Sequence, residues 1–473
     1  MRGALNRRDF LALSAATGAL LAGPWRSLAL AADAEEWPPK LPTVKIYKVF
    51  AGRTGGHYLS RPTDEIEKFN KYLDGVGKKL GNVEFVGGDL IPDVKVEEVA
   101  AKLKDADGAL LFHLSGHGGD APVLSKLLDT GVPAAVFSQP FSGHGWMYFP
   151  ALAKAGKKVV ILPTSDWSEL DHIVALMRVP AWMRQTRIFM LGGPRGTGPA
   201  CDPKQIKDRL GAEALPIKIE QVMEAMKAID LKAAEAEAEE YWLKPAQKVV
   251  EPKRDEIIAS ARMYLATKAM MAKERVRAIT SSHCMGNPRG CLTFSKLNDE
   301  GLVGACEGDM DSTLTMVIFG YAFGVPGFIT DPVFDTAKNA LIHFHCTCAT
   351  KMDGRDGKRL PFTIRTQSDS ERGVSLDVEQ RIGQPVTCAK FINLDTMLIS
   401  TGKIFQITHD ELGCRTQFWT EVADAESMFH NWGGGVLKGG VMTLLHRAVF
   451  YGDHLQDVKH LGVLMGFKVV EEG

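Results

Sequence analysis

Short apolar segments alternate with longer amphipathic segments between residues 42 and 190. The short segments are rich in β-branched and aromatic side chains, which favours strands, whereas the longer ones have apolar residues at helical spacing. Thr63 or Asp64 can cap the first of these helices. Because strands and helices alternate, the pattern predicts a domain with a parallel sheet covered on both faces. The predicted strands are residues 44–49, 83–86, 109–114, 134–137, 158–162 and 187–191, and the predicted helices are residues 63–80, 96–103 and 121–129.

The alternation continues over residues 191–340 and predicts a second α/β domain. Residues 231–243 repeat Ala and Glu, which is typical of a surface helix with a solvated charged face. The other predicted elements of this region are strands at 277–280, 302–306 and 327–330 and helices at 292–298 and 314–323.

The pattern changes over residues 341–473. Residues 374–378 and 386–392 alternate apolar and polar side chains, and residues 397–400 and 403–407 form two short β-rich segments. Turn residues separate these segments, so they predict an antiparallel sheet or a small barrel. A helix at 441–449 and a closing helix–strand pair complete the prediction.

Residues 1–31 have the features of an export signal. Arg7 and Arg8 form a twin arginine, residues 11–23 are apolar, and residues 29–31 offer a small-x-small cleavage site. This resembles a Tat signal, with an uncleaved N-terminal helix as the alternative. It predicts recognition by the Tat translocon, a folded cargo, a periplasmic location and no membrane attachment after cleavage.

The composition is that of an ordinary globular protein with balanced charges. Of 473 residues, 45% are hydrophobic and 24% are charged, which excludes disordered and fibrous classes. The chain has 56 Lys and Arg residues and 57 Asp and Glu residues. It therefore lacks the excess of positive charge that would indicate a nucleic-acid partner. The eight cysteines are too sparse for a disulfide scaffold and show no zinc-motif spacing. Cys346 and Cys348 are interpreted as two small β residues.

Two acidic positions follow predicted strands of the second domain. Glu307 follows the strand at 302–306, and Asp331 ends the strand at 327–330, 24 positions later. One strand–helix–strand unit fits this spacing, so both carboxylates can lie at the same edge of a parallel sheet. Together with His345, and with His446 on the predicted last helix, the two carboxylates form a donor set that suits Mn²⁺ or Mg²⁺ better than structural zinc. Alternatively, Glu307 is a capping acid, Asp331 a turn former and His446 a core histidine.

Three histidines of the first domain lie in polar, Gly-rich segments after predicted strands. His113, His117 and His144 suit the entrance of a substrate site, because ligands of parallel sheets bind at the carboxyl ends of strands. The alternative is that these segments are ordinary turns.

Residues 297–309 (LNDEGLVGACEGD), the pair Thr330-Asp331, residues 383–387 (GQPVT) and the β-rich tail with its late histidine share a family pattern. Together they resemble the L-fucose/L-arabinose isomerase superfamily over most of residues 42–473, most specifically from about 283 to 407. The resemblance implies two Rossmann-like α/β domains (42–190 and 191–340), a C-terminal β-barrel-like domain (341–473) and a homo-oligomer.

The resemblance also implies a function. Glu307 and Asp331 become metal ligands and the acid/base pair, His446 a third ligand, and His345 the extra histidine of the arabinose-type branch. The expected enzyme is a Mn²⁺- or Mg²⁺-dependent aldose–ketose isomerase that acts on a sugar or sugar derivative through an ene-diol. The late histidine stands in Leu444-Leu445-His446-Arg447, whereas fucose isomerases have a Gly-Ala-Asn context. A carbohydrate epimerase or lyase using the same carboxylates, or a non-catalytic periplasmic sugar-binding protein, are therefore the alternatives.

Overall fold

A computed structural model describes residues 37–52, 62–91, 94–114, 121–368, 371–435 and 444–473. The predicted signal segment and His117 lie outside these ranges. Within them, no helix is both long enough and apolar enough to cross a membrane.

The first sheet has five parallel strands in the order β2-β1-β3-β4-β5. The apolar segments that predicted it are buried on both faces, as β3 and β4 show along their whole length. Its elements are β1 (Val44–Ala51), α1 (Pro62–Leu80), β2 (Val83–Ile91), α2 (Val96–Leu103), β3 (Gly108–His113), α3 (Ala121–Leu128), β4 (Ala134–Ser138), α4 (Phe149–Lys154), β5 (Val159–Leu162) and α5 (Ser168–Met183).

The second sheet has four parallel strands in the order β10-β9-β6-β7. Its strand β6 was expected to complete the first sheet, but it pairs with β7 and β9. The predicted surface helix at 231–243 buries Ala234, Ala238 and Trp242 on one face and ends in a π-helical turn, Ala238–Leu243. The elements are β6 (Arg187–Leu191), α6 (Pro203–Leu210), β7 (Glu213–Ile217), α7 (Ile219–Ala228), α8 (Leu231–Glu237), β8 (Lys248–Val249), α9 (Arg254–Lys273), β9 (Ala278–Ser281), α10 (Cys291–Asp299), β10 (Val303–Cys306) and α11 (Met310–Phe323).

Six antiparallel strands close into a barrel in the C-terminal region. Their order is β15-β18-β11-β12-β17-β16, and pairing between β15 and β16 closes the ring. This confirms parallel α/β sheets followed by a β-barrel. The elements are β11 (Phe328–Asp335), β12 (Ala340–Phe344), β13 (Phe362–Gln367), β14 (Arg372–Val378), β15 (Pro385–Ile392), β16 (Thr396–Thr408), β17 (Gln417–Glu421), α12 (Ala425–His430), β18 (Arg447–Tyr451), α13 (Leu455–Met465) and β19 (Lys468–Glu471). β19 adds to β16, and β14, β13 and β8 form a separate small sheet.

Two predictions for this region were wrong in part. The strand at 327–330 was assigned to the parallel sheet, but β11 is antiparallel to both of its barrel neighbours. The predicted helix at 441–449 was wrong over its last residues: 447–451 form strand β18, and His446 directly precedes it, whereas residues 441–443 lie outside the described ranges. Every side chain of β18 is buried, and a continuous buried run has no periodicity that separates a strand from a helix.

A buried ion pair joins strand β18 to the end of the chain. Arg447 Nε donates to Glu472 Oε2 at 2.7 Å, and neither side chain has solvent-exposed area. The Gly433 amide donates to Glu472 Oε1 at 2.8 Å, and the Arg447 guanidinium lies 3.7 Å from the centre of the Trp432 ring. This network holds the residue next to His446 in place.

Replacing Glu472 by Ala is expected to lower the free energy of unfolding by about 3–5 kcal/mol, because it leaves a buried guanidinium without its counter-charge. Urea unfolding followed by circular dichroism measures this loss. The neighbouring variant Glu471→Ala is the control, because Glu471 pairs with Lys459 on the surface and is expected to change stability by at most about 1 kcal/mol. Equal unfolding midpoints for the two variants would show that the buried pair stabilises no more than the surface pair.

Candidate metal centre

Glu307 lies on a sharp turn between the second sheet and helix α11. Strand β10 ends at Cys306, and Glu307 then adopts a left-handed backbone with φ of 60°, followed by Gly308 at 71°. A left-handed conformation is unfavourable for Glu, and strained residues of this kind cluster at functional sites. Asp309 ends the turn as the N-cap of α11 by accepting from the Ser312 amide at 2.9 Å.

The barrel supplies three further side chains from neighbouring strands. Asp331 lies on β11 opposite Phe344 of β12, and His345 follows that residue. On the other side of β11, Thr330 lies opposite Arg447 of β18, and His446 precedes it. The strand register therefore brings His345, Asp331 and His446 side by side.

The four predicted side chains converge between the second sheet and the barrel. His446 Nε2 lies 3.2 Å from Asp331 Oδ1 and 3.6 Å from Glu307 Oε2. His345 Nε2 lies 3.8 Å from Glu307 Oε1. Both histidines are buried, whereas the Glu307 side chain is 35% exposed and the Asp331 side chain 21% exposed. Solvent can therefore reach both carboxylates, whereas the two imidazole rings beside them are buried.

The orientation of His446 is set by Asp309. Asp309 Oδ2 accepts from His446 Nδ1 at 2.8 Å and from Lys390 Nζ at 2.7 Å. Because the ionised carboxylate only accepts, Nδ1 carries a proton, and Nε2 directs its lone pair at Glu307 and Asp331 whenever the ring is neutral. A carboxylate on the far nitrogen is the usual support of a metal-binding histidine.

The donor set fits a divalent cation. His446 Nε2 and Asp331 Oδ1 are both buried, and neither makes a hydrogen bond although they face each other. Two lone pairs in this position need a positive partner between them, either a second proton on His446 or a bound cation. Ligand atoms of Glu307, His345 and His446 also lie within 4.8 Å of one another. One imidazole and two carboxylates are ligands that Mn²⁺ accepts.

The charges at this centre shift several pKa values. Burial tends to raise the pKa of Asp309, but the Lys390 ammonium and the His446 hydrogen bond outweigh it and hold that pKa well below its usual range. Burial also tends to raise the pKa of Asp331, and His446 together with the charge of His345 lowers it overall. For His446, burial lowers the pKa, but the neighbouring carboxylates of Asp309 and Asp331 raise it overall. The centre therefore favours ionised carboxylates and a cation.

His345 is placed as a hydrogen-bond donor. Its Nδ1 accepts from the Cys346 amide at 2.9 Å, so the ring proton lies on Nε2, which faces Glu307. A protonated ring nitrogen does not ligate a metal. The position of His345 beside Glu307 agrees with a role in the site. For His345 to act as a metal ligand, as predicted, the ring would have to change tautomer.

Sequence reasoning assigned no role to three buried charged residues around the centre. Asp309 and Lys390 form the support of His446, and Asp311 accepts from the amide and hydroxyl of Thr197, both at 2.6 Å. Burial and the nearby charge of Asp309 raise the pKa of Asp311 to about 7. Two sequence features could have pointed to these residues: Lys390 interrupts the apolar segment of β15, and Asp309 stands three positions before Ser312, as an N-cap residue does.

The structure does not bring the first-domain histidines to this centre by any described contact. His113 is buried and lies 3.0 Å from the Ser138 hydroxyl through Nδ1, which is the arrangement of a core histidine. His144 is exposed before a 3₁₀ turn, Gly145–Tyr148. Their assignment to a substrate entrance stays a prediction.

A well-formed cavity lies away from the centre. Its walls include Leu41, Arg277, Tyr321 and Arg355. None of the four converging side chains lines it, so the chemistry of the centre and not cavity size identifies the candidate site.

Comparison with known proteins gives one short similarity. No protein-family model matches the chain. A stretch of 60 residues is 38% identical to sulfoquinovose isomerase from Clostridium sp. (strain MSTE9), and it covers 12% of this chain and 13% of that protein. The chain thus matches about an eighth of that relative's length, and the match is consistent with the sugar isomerase class.

Proposed function

We propose that this protein is a metal-dependent aldose–ketose isomerase that acts on a sugar or sugar derivative. The observation that carries the proposal is the pair of unpartnered buried atoms, His446 Nε2 and Asp331 Oδ1, beside the Glu307 carboxylate. Such a pair suits a cation that also holds the oxygens of a substrate. The similarity to a relative named as a sugar isomerase supports the class of reaction.

In this proposal Glu307, Asp331 and His446 hold Mn²⁺ or Mg²⁺, with Asp309 and Lys390 fixing His446. When bound, the cation stabilises the negative charge that develops on the substrate oxygens at C1 and C2. His345 donates a hydrogen bond from Nε2, either to Glu307 or to a substrate oxygen. This hydrogen bond orients the group that accepts it.

The two carboxylates carry the proton transfer. Isomerisation of an aldose removes the proton from C2, leaves an ene-diol, and returns a proton to C1, while a proton moves from the C2 hydroxyl to O1. Glu307 and Asp331 approach His446 from the second sheet and from the barrel respectively, so they flank the space in which a sugar would bind. Their partial exposure allows contact with a substrate, and the low pKa of Asp331 keeps it ionised as a base.

Periplasmic export through the Tat pathway and assembly into a homo-oligomer remain part of the proposal. The signal segment supports the first, and the family resemblance supports the second. Cell fractionation and light scattering of the purified protein measure them.

Deuterium exchange tests the reaction. Purified protein is incubated in D₂O with a panel of aldoses, with chelator or with added Mn²⁺, and followed by ¹H NMR. We expect Mn²⁺-dependent deuterium incorporation at C2 of the aldose or C1 of the ketose. Exchange at another carbon would instead establish an epimerase or lyase. Absence of exchange on every sugar while metal is bound would contradict the isomerase proposal for these substrates and favour a binding protein.

A further inference from the structure

Three neighbouring parallel strands of the second sheet, β6, β9 and β10, end at the edge where Glu307 lies. Strand β9 lies between the other two, and the last residues of β6 and β10 both lie opposite Ser281. The loops after the three strands therefore begin side by side, where ligands of parallel sheets bind. These loops also touch, because the Ser282 hydroxyl donates to the Gly192 carbonyl at 2.8 Å.

The loop after β6 carries Arg195 against the turn that follows β10. The Arg195 amide donates to the Gly308 carbonyl at 2.8 Å, and the Arg195 carbonyl accepts from the Met310 amide at 3.0 Å. These two hydrogen bonds form a parallel bridge between Arg195 and Asp309. Paired residues of parallel strands direct their side chains to the same side. Arg195 therefore extends on the side on which Asp309 reaches His446.

A buried carboxylate fixes this loop. Asp311 accepts from the amide and the hydroxyl of Thr197, and the Asn393 amide donates to the same hydroxyl at 3.0 Å. Gly196 stands between Arg195 and Thr197 with a φ of 124°, and a Cβ at this position would collide with the Asp311 carboxylate. The backbone on both sides of Arg195 is thus held in place, while the Arg195 side chain itself is exposed.

His283 places a second hydrogen-bond donor at the same edge. Its imidazole lies over Gly192, because a Cβ at Gly192 would be 2.9 Å from His283 Cδ2. His283 is exposed like Arg195, and within the described ranges no ion pair involves either side chain. A guanidinium and an imidazole that have no carboxylate partner can form charge-assisted hydrogen bonds to an anionic ligand.

We propose that Arg195 and His283 bind an anionic group of the substrate, so that the substrate is an acidic sugar. The group is a carboxylate, sulfonate or phosphate at the end of the sugar remote from C1 and C2. A guanidinium presents paired N–H donors that match two oxygens of each of these groups. This assignment rests on the proposed isomerase function, because it names the class of substrate for the same site.

Binding of alditols tests this assignment apart from the reaction. An alditol keeps the hydroxyls at C1 and C2 but has no carbonyl group to isomerise, so its affinity does not depend on catalysis. Glucitol, L-gulonate, 6-deoxy-6-sulfoglucitol and glucitol 6-phosphate differ only in the group at C6, and matched sets built on mannitol and galactitol vary the other carbons. Titration calorimetry is carried out with saturating Mn²⁺. We expect at least one anionic member to bind at least about tenfold more tightly than its uncharged parent, and less so at high salt. Equal affinities for charged and uncharged members would overturn the proposal.

Variants locate the anion site within the chain. Arg195→Gln is expected to abolish the preference for the charged alditol and to leave the affinity for the uncharged one unchanged, whereas Arg195→Lys keeps part of the preference. His283→Asn is expected to lower the preference by a smaller factor. Arg355→Gln is the matched control, because Arg355 is also exposed but lies against Gly301, before the start of β10.

The two proposals can fail separately. A preference for the anion that Arg195→Gln retains in full would overturn the assignment of Arg195. An anion preference that depends on Arg195, together with absence of deuterium exchange on every sugar, would support the anion site and contradict only the isomerase reaction.

Discussion

Replacing Glu307 by Gln is expected to lower kcat at least about 10³-fold, with little change in the unfolding midpoint. The amide keeps the shape of the side chain, but it can neither accept a proton from carbon nor bind a cation with a full negative charge. Asp331→Asn is expected to act in the same way, because it removes the charge beside His446. NMR exchange in D₂O with saturating Mn²⁺ measures both losses.

Asp335→Asn is the matched control for these variants. Asp335 lies on β11 with Asp331, but its side chain only accepts from the Lys338 amide at 3.2 Å. Asn caps equally well, so this variant should keep normal turnover. Near-normal activity of Glu307→Gln or Asp331→Asn would remove that carboxylate from the acid/base pair.

Replacing His446 by Ala is expected to weaken Mn²⁺ binding at least about 100-fold. The His446→Ala variant loses the imidazole ligand altogether. Asp309→Asn disturbs only the orientation of the His446 ring and should weaken Mn²⁺ binding about 10–100-fold. In His446→Ala, Asp309 keeps its ion pair with Lys390 and its bonds to Ser312, so the barrel should remain folded. Titration calorimetry of the metal-stripped protein with Mn²⁺ measures both affinities.

His430→Ala serves as the control for the metal titration, because His430 is exposed on α12 and lies beside Glu426. Its affinity for Mn²⁺ should equal that of the unmodified protein. An unchanged affinity in His446→Ala would show that the unpartnered Nε2 is not a ligand, and the proposed centre would lose its nitrogen donor.

Most strands and helices could be predicted from local pattern alone. The segments at 44–49, 134–137 and 386–392 are strands in the structure because β-branched and aromatic side chains fit a buried pleated surface. The barrel was predicted from alternating positions and turns, and it is confirmed. The pattern failed at β18, which is buried along its whole length, and at β6, whose pairing partner no local signal identifies.

The sequence by itself identified side chains of the types that can bind a metal, and the tertiary structure decided how they meet. Glu307, Asp331, His345 and His446 were all named from residue type and family resemblance, and the structure brings them together. The argument for their meeting was nevertheless wrong, because Asp331 belongs to an antiparallel barrel and not to a strand beside β10.

The support of His446 by Asp309 and Lys390, and the contact between the thiols of Cys291 and Cys346, arose only in three dimensions. Asp309 and His446 are 137 positions apart, and Cys291 and Cys346 are 55 positions apart. Periodicity reports which face of one element is apolar, over a few turns or residues. Contacts across such separations depend on how whole sheets pack and close, and those choices are made by the summed burial of side chains throughout the chain.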